Sequence, residues 1–238
     1  MAHITSHVFI LNKLLRTERP TYEVIKRLPA AGGRPKQIIE IRKYNPYLIA
    51  ETTIDNESSM RKAGGQGFGK CASYIFGQNE SKFTNNNNDE DMGETMAMTS
   101  PVRSVGEVAN NEKMAMTAPV RSVGTTSSSN TIKTKISFVI GSKYNLKTVP
   151  KPKDKSVKIV SVPQHTLAST TFAGPPPSDE RIAKERDMIL ATLEREGIQI
   201  KNKKNRETTT LVYGYHDPII TPNFLRRNEV AIVVDGNL

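Results

Sequence analysis

Asp179-Glu-Arg-Ile-Ala-Lys-Glu-Arg-Asp-Met-Ile-Leu-Ala-Thr-Leu-Glu-Arg-Glu196 carries the strongest helical signal in the chain. Ile182, Ala183, Ile189, Leu190 and Leu193 recur at helical spacing and form an apolar stripe, interrupted by Arg186. Ser178 or Asp179 supplies an N-cap, Asp179 and Glu180 suit the positive end of the helix dipole, and Gly197 can stop the helix. Ahead of it, Ser156 to Val162 and Thr166 to Phe172 read as strands, followed by a break at Gly174-Pro-Pro-Pro177. Behind it, Thr208 to Tyr215 and Asn228 to Val234 read as two more. The order is strand, strand, helix, strand, strand.

The first half shows the same order. Gln37 to Tyr44 and Tyr47 to Ile54 form a hairpin about Asn45-Pro46. Met60, Gly64, Phe68, Cys71 and Ile75 then share one face of a helix that closes at Gly77. Four glycines lie inside that helix, each costing about 1 kcal/mol against alanine. Their missing side chains allow another group to approach closely. A duplication comes next: Met96-Ala-Met-Thr-Ser-Pro-Val-Arg-Ser-Val-Gly106 returns as Met114-Ala-Met-Thr-Ala-Pro-Val-Arg-Ser-Val-Gly124. Pro101 and Pro119 confine each copy to a strand start or a sheet edge. Lys135 to Ile140 reads as the closing strand. Two such halves, about 36–141 and 156–235, predict an α+β domain. In it about eight mostly antiparallel strands carry two helices in a pseudo-twofold arrangement, with pockets where the halves meet.

Composition agrees with one domain rather than two. The 238 residues are only 36% apolar, below the roughly 45–50% of average globular chains, a count that includes glycine. The shortfall is expected in a polar insertion at Gln78 to Gly93, a Ser/Thr loop at 125–131, and a tail at 1–34, with the domain spanning 35–238. Met1 to Thr17 hold no acid, carry Lys13 and Arg16, and place Ile4, Val8, Leu11 and Leu15 at helical spacing. That pattern suits a targeting or lipid-surface segment, or an ordinary N-terminal helix packed on the domain. Leu28 to Pro35 reads as a linker. A net charge of +10 permits nucleic acid, anionic lipid or an anionic small molecule as partner. The lone cysteine, Cys71, excludes a disulfide framework, a CxxC redox pair and a cysteine-built zinc site. No run of 18 apolar residues offers a membrane-spanning helix.

Motifs for chemistry are sparse. Gly64-Gly-Gln-Gly-Phe-Gly69-Lys70-Cys71 has phosphate-loop spacing, but Cys71 replaces the hydroxyl that would hold magnesium and no apolar strand precedes it. A glycine-rich helix face is the better reading. Cys71 lies on the apolar helix face and reads as an inert buried thiol. His165 and His216 are either loop histidines or iron ligands, and neither has ligand spacing to a partner. Asp217, Glu229 and the Glu194/Glu196 pair form no convincing acid–base set, and no nucleophile elbow or HExxH helix is present. Lys201 to Arg206 is a basic run without aromatic interleaving, so it reads as a solvated loop and not a nucleic-acid site. Met92, Met96, Met98, Met114 and Met116 suit either a pocket lining or core filling.

Four segments resemble the SOUL heme-binding proteins, in order, over residues 36–236. They are Ser73-Tyr-Ile-Phe-Gly-Gln-Asn79, Met114-Ala-Met-Thr-Ala-Pro-Val120, Val157-Lys-Ile to Phe172-Ala-Gly174, and Arg226-Arg-Asn-Glu-Val230. The doubled Met-Thr-x-Pro-Val segment further resembles chloroplast-type, plastoglobule-associated members of plants and algae. The resemblance implies a distorted antiparallel β-barrel flanked by two helices, with a shallow apolar cleft for heme or a related tetrapyrrole. It implies a cleft built from the exposed face of the first helix, at Phe68 and Ala72, with the loop before Arg226, and with Ile75 and Tyr215 as further walls and Lys70 near the propionates. Arg226 and Arg227 are further cations, unless the latter pair is tied to Glu229. In some members a histidine after Glu-x-Arg is the proposed iron ligand; here Glu40-Ile-Arg42 is followed by Lys43, so the metal ligand is left unassigned.

The expected function is therefore non-enzymatic binding, buffering or transport of a tetrapyrrole. A location in the chloroplast or plastoglobule is expected for a plant or algal chain, and the cytoplasm otherwise. Two alternatives stand beside it: a hydrolase of an apolar small molecule in the equivalent pocket, and an interaction protein at a lipid surface. A carboxylate and a tyrosine converging on the pocket would favour the hydrolase, and an all-apolar floor would count against it.

Overall fold

A computed structural model describes residues 18–55, 57, 59–81, 93–97, 99–107, 133–200, 209–215 and 222–236. Strands β1 (Tyr22–Pro29), β2 (Ile38–Tyr44) and β3 (Tyr47–Asp55) lead into helix α1 (Met60–Ile75) and the short β4 (Asn79–Glu80). Strands β5 (Val102–Glu107) and β6 (Lys133–Val139) complete the first half, and β7 (Lys151–Pro152) pairs with β4. The second half is β8 (Val157–Val162), β9 (His165–Ala173), α2 (Asp179–Arg195), β10 (Thr209–Gly214) and β11 (Arg227–Val234).

Nine strands form one sheet in the order β1-β2-β9-β11-β10-β5-β6-β3-β8, and every pair is antiparallel. Exchanging β2-β3-β5-β6 with β8-β9-β10-β11 maps the order from β2 to β8 onto its own reverse. The pairing thus follows the two-halves pattern read from the sequence, with β5 and β10 meeting at its centre. The expected barrel is not closed: β1 takes the outer edge of β2, the edge that pairing with β8 would need, and no pair among the described residues joins the ends. Residues 22–29, expected in the tail and partly in a linker, are this β1 strand, and Leu28 is buried in the core. Residues 1–17, the second copy of the duplication and the Ser/Thr loop lie outside the described residues.

Both helices pack on the same face. Ile182, Ile189 and Leu193 of α2 cover Ile39, Ile41, Val230 and Ile232, while Cys71, Ala72 and Ile75 of α1 cover Ala50, Phe138 and Val157. Ile39 and Ile41 of β2 and Val230, Ile232 and Val234 of β11 meet this core at every second position, as a pleated sheet face requires. Ser178 caps α2 by accepting from the Arg181 amide, and Ser59 caps α1 through the Lys62 amide. Gly197, at φ +69°, closes α2 in a backbone region that glycine enters at little cost.

Gly67 is required by packing. A Cβ built there would lie 2.5 Å from Ile136 Cγ1 and 2.6 Å from Ile136 Cβ. Gly67→Ala should therefore lower stability by about 1–3 kcal/mol despite alanine's better helix propensity, read as a fall in the urea midpoint. The apparent phosphate loop lies wholly inside α1, with its amides committed to the helix.

Candidate functional site

Because α1 and α2 cover opposite halves of the sheet, the two central strands between them are left as the floor of a cleft. Val102 and Ser104 of β5 and Val212 and Gly214 of β10 form that floor. Their side chains share one face because they alternate along paired strands, with Val212 opposite Ser104 and Gly214 opposite Val102. One wall is α1, through Met60, Arg61, Gly64, Gly65 and Phe68. Opposite stand Pro176, Pro177 and Ile182 at the start of α2, with Arg226, Arg227 and Asn228 at the start of β11. The cleft holds about 370 Å³, within the size range of small-molecule sites.

The glycines of α1 supply its room. A Cβ at Gly64 would touch only Ser104 Oγ, at 3.7 Å, and one at Gly65 would meet nothing within 4 Å. Bare helix backbone therefore faces the cleft beside Phe68, whose ring meets Phe138 edge-on at 5.1 Å. The charged lining is cationic: Arg61, Arg226 and Arg227 contribute, and no acidic side chain among the described residues does. Arg61 is exposed and pairs with no acid among the described residues.

Arg227 is held back from the cleft by the protein itself. Its Nε donates to Glu229 Oε1 at 3.0 Å, its Nη2 binds the same oxygen, and its guanidinium lies 4.8 Å from the Tyr215 ring centroid. The pairing weighed for this arginine from the sequence is thus present. Tyr215, which lines the same wall, donates its hydroxyl to Glu229 Oε2 at 2.7 Å. Arg42 Nη1 donates to that oxygen at 2.8 Å, and Thr171 Oγ1 donates to Oε1 at 3.0 Å. Glu229 is 0% exposed and Arg42 1%. Burial pushes the Glu229 carboxyl up, but Arg42, Arg227 and the Tyr215 hydroxyl outweigh burial and hold it below the usual carboxylate range. Burial, with the Glu229 charge behind it, raises the Tyr215 phenol, so Tyr215 stays protonated.

Of the residues expected at the site, Phe68 and Tyr215 line the cleft and Lys70, Ala72 and Ile75 do not. Lys70 follows Phe68 by two residues, which on a helix turns it about 200° away. It is exposed, and its charge acts on Asp154. Ala72 and Ile75 belong to the second half of α1, which runs under Tyr74, Phe138 and Val157. Residues that the sequence reading missed are the floor, Met60 and Arg61, and the Pro176-Pro177 corner. The alternation of Val102 with Ser104 and of Val212 with Gly214 was visible, but only pairing across a hundred residues brings them together.

Cys71 is buried, and its Sγ lies 3.6 Å from the Ala50 and Ile136 carbonyls. Burial pushes the thiol up to about 12, which makes it inert at neutral pH. His165 stacks on Tyr44 at 5.3 Å, accounts for one nitrogen against the Pro163 carbonyl, and does not line the cleft. His216 lies outside the described residues. Among the described residues no histidine lines the cleft and no acid, histidine or cysteine cluster could hold a metal ion. Met60, through its thioether, is the cleft's one soft donor side chain among the described residues.

A tetrapyrrole needs apolar contact over its ring and cations for its carboxylates, and the lining residues supply both. Among the described residues, iron in such a ring would find no imidazole there. No curated protein sequence matches the chain. Among solved structures, the C-terminal domain of EcmrR is similar at 10% identity and TM-score 0.47, covering 84% of this chain and 99% of that one. A hydrolase from Listeria innocua is similar at 9% identity and TM-score 0.44, covering 95% and 98%. SAV2435 bound to tetraphenylphosphonium is similar at 7% identity and TM-score 0.42, covering 83% and 94%. At such values these likenesses bear on neither ligand nor activity. The SOUL heme-binding protein family model, in contrast, matches residues 17–233, from just before β1 to within β11, and the chain belongs to that family.

Proposed function

We propose that the chain binds heme or a related tetrapyrrole in the cleft between α1 and α2, and buffers or carries it without chemistry of its own. The observation that supports this reading most is the cleft's make-up: bare glycine backbone and Phe68 on one wall, a floor of Val102, Val212 and Gly214 with Ser104 as its one hydroxyl, and only cations among its charges in the described residues. The ring would lie along Gly64, Gly65 and Phe68, with its carboxylates toward Arg61 and Arg226. A metal-bound ring supplies the Soret absorption that reports binding, while the contacts named here act on the ring and its carboxylates.

The test is a Soret-monitored titration of wild type and Arg61→Glu. Charge reversal should weaken binding about fivefold to twentyfold at low salt, and by less at high salt, because an exposed cation is screened. Equal affinity of the two at low salt would remove Arg61 from the site. A chloroplast location is a separate proposal, supported by the resemblance of the doubled Met-Thr-x-Pro-Val segment, and a fluorescent fusion in its native cell tests it.

A hydrolase is the second reading, favoured by one contact: Tyr215 and Glu229 meet at the cleft wall, the convergence that such an enzyme would need. Against it, the carboxylate is wholly buried, bound by two arginines, and held at low pKa, which makes it a weak base.

A further inference from the structure

Along β5 and β10, every second side chain points away from the cleft to the other side of the sheet. Val102 and Ser104 form the floor, so Arg103 between them turns from it, and Tyr213, between Val212 and Gly214, does the same. The registers set these two residues opposite each other and set Arg103 opposite Ser137 of β6. Direct partners on paired strands share a face, with Cβ atoms about 5 Å apart. Tyr213, Arg103 and Ser137 therefore form one row across three strands, on the face that neither helix covers.

Each of the three carries a buried donor that is not used. Arg103 Nε, Ser137 Oγ and the Tyr213 hydroxyl are shielded from water and make no hydrogen bond. Ser137 is 0% exposed and Tyr213 3%, while Arg103 is half-buried. The Tyr47 hydroxyl approaches that of Tyr213 without hydrogen-bond geometry, and the Arg103 charge acts on both phenols. The acids that flank the row are already taken. Glu229, opposite Tyr213, is held by Arg42 and Arg227, and Glu51, opposite Ser137, is held by Lys135 at 3.1 Å. No acid among the described residues pairs with Arg103. Buried donors are nearly always satisfied and buried charges paired, so a cation and two hydroxyls left over side by side mark a missing acceptor that carries negative charge.

The room beside the row limits what that acceptor is. Tyr47 and Tyr213 line an enclosed cavity of about 20 Å³, enough for one particle the size of a water molecule and too little for a carboxylate or phosphate. We propose that Tyr213, Arg103 and Ser137 form a binding site for a single small monovalent anion, chloride or another halide. Arg103 supplies the counter-charge, and its Nε and the two hydroxyls donate to the ion. Because Arg103 stands between Val102 and Ser104, the ion fastens from behind the strand that carries the cleft floor. It lies on the face away from the cleft, so the site stands or falls separately from whatever ligand the cleft takes.

Thermal unfolding of the full chain, without heme, is followed by circular dichroism in sodium chloride, sodium bromide and sodium gluconate at equal ionic strength. Gluconate is too large for the cavity and controls for screening. Halide at about ten times its dissociation constant should raise the Tm by roughly 3–6 °C over gluconate and then saturate, as binding to the folded state alone requires. Arg103→Gln should lose this response. Ser137→Ala, which keeps the charge, should weaken halide affinity about threefold to tenfold. Crystals soaked in bromide should show an anomalous peak within hydrogen-bond reach of Arg103 Nε and Ser137 Oγ. An equal halide response in wild type and Arg103→Gln, or water alone between those atoms in the bromide-soaked crystal, would overturn the proposal.

Discussion

Arg42→Met should cost about 3–5 kcal/mol of stability, measured by urea denaturation at pH 7. Arg42 is buried on β2 and Glu229 on β11, and their side chains meet at 2.8 Å across β9, which lies between those strands. Neither ion has water to return to, so removing the cation leaves a buried carboxylate with Arg227, Tyr215, Thr171 and a long contact from Ser169 to compensate it. Acid should narrow the difference. The folded carboxyl of Glu229 sits below its unfolded value of about 4.3, so the stability it contributes is complete above that pH. It is lost as pH falls through the folded value, and in Arg42→Met there is less of it to lose. A difference between the two proteins that grows on acidification would refute the assignment. Because Glu229 also holds Tyr215 and Arg227, this core pair sets one wall of the cleft.

Phe68→Asp should weaken heme binding by about a hundredfold while leaving the fold intact. The phenyl ring is partly exposed in the cleft wall, and losing its contact with a flat apolar ligand removes roughly 2–3 kcal/mol. The new carboxylate adds repulsion toward the ligand's own carboxylates in a cleft otherwise free of acids among the described residues. Far-UV circular dichroism matching wild type, together with an unchanged Soret titration, would place the ligand elsewhere.

Much of the fold was legible because burial left regular marks. The β-branched and apolar runs of β2, β3, β9 and β11 and the capped stripe of α2 mark elements that burial selects, with β9 and β11 buried along most of their length. β1 escaped because it is an edge strand: in Tyr-Glu-Val-Ile-Lys-Arg-Leu-Pro only Leu28 is fully buried, so charge and apolar residues alternate without pattern. Barrel closure was an inference from resemblance, and β1 on the outer edge of β2 is what the pairing shows in its place.

The site was legible in part for a related reason. Phe68 and the glycines announce a helix that something approaches, and Tyr215 lies next to the strand that meets β5. Ala72 and Ile75, apolar residues of the same helix, belong to its second half, which packs on Phe138, Tyr144 and Val157. Lys70 is close to Phe68 in sequence, which on a helix does not mean close in space. Arg61, three residues before Gly64 on that helix, is the cation that the helical period selects.

A Soret-monitored heme titration of the full chain against serum albumin as competitor tests the central claim most directly. Saturation at one heme per chain, tighter than albumin and lost in Phe68→Asp, is the expected result. Binding no tighter than albumin, or the same in both proteins, would contradict a tetrapyrrole site between α1 and α2.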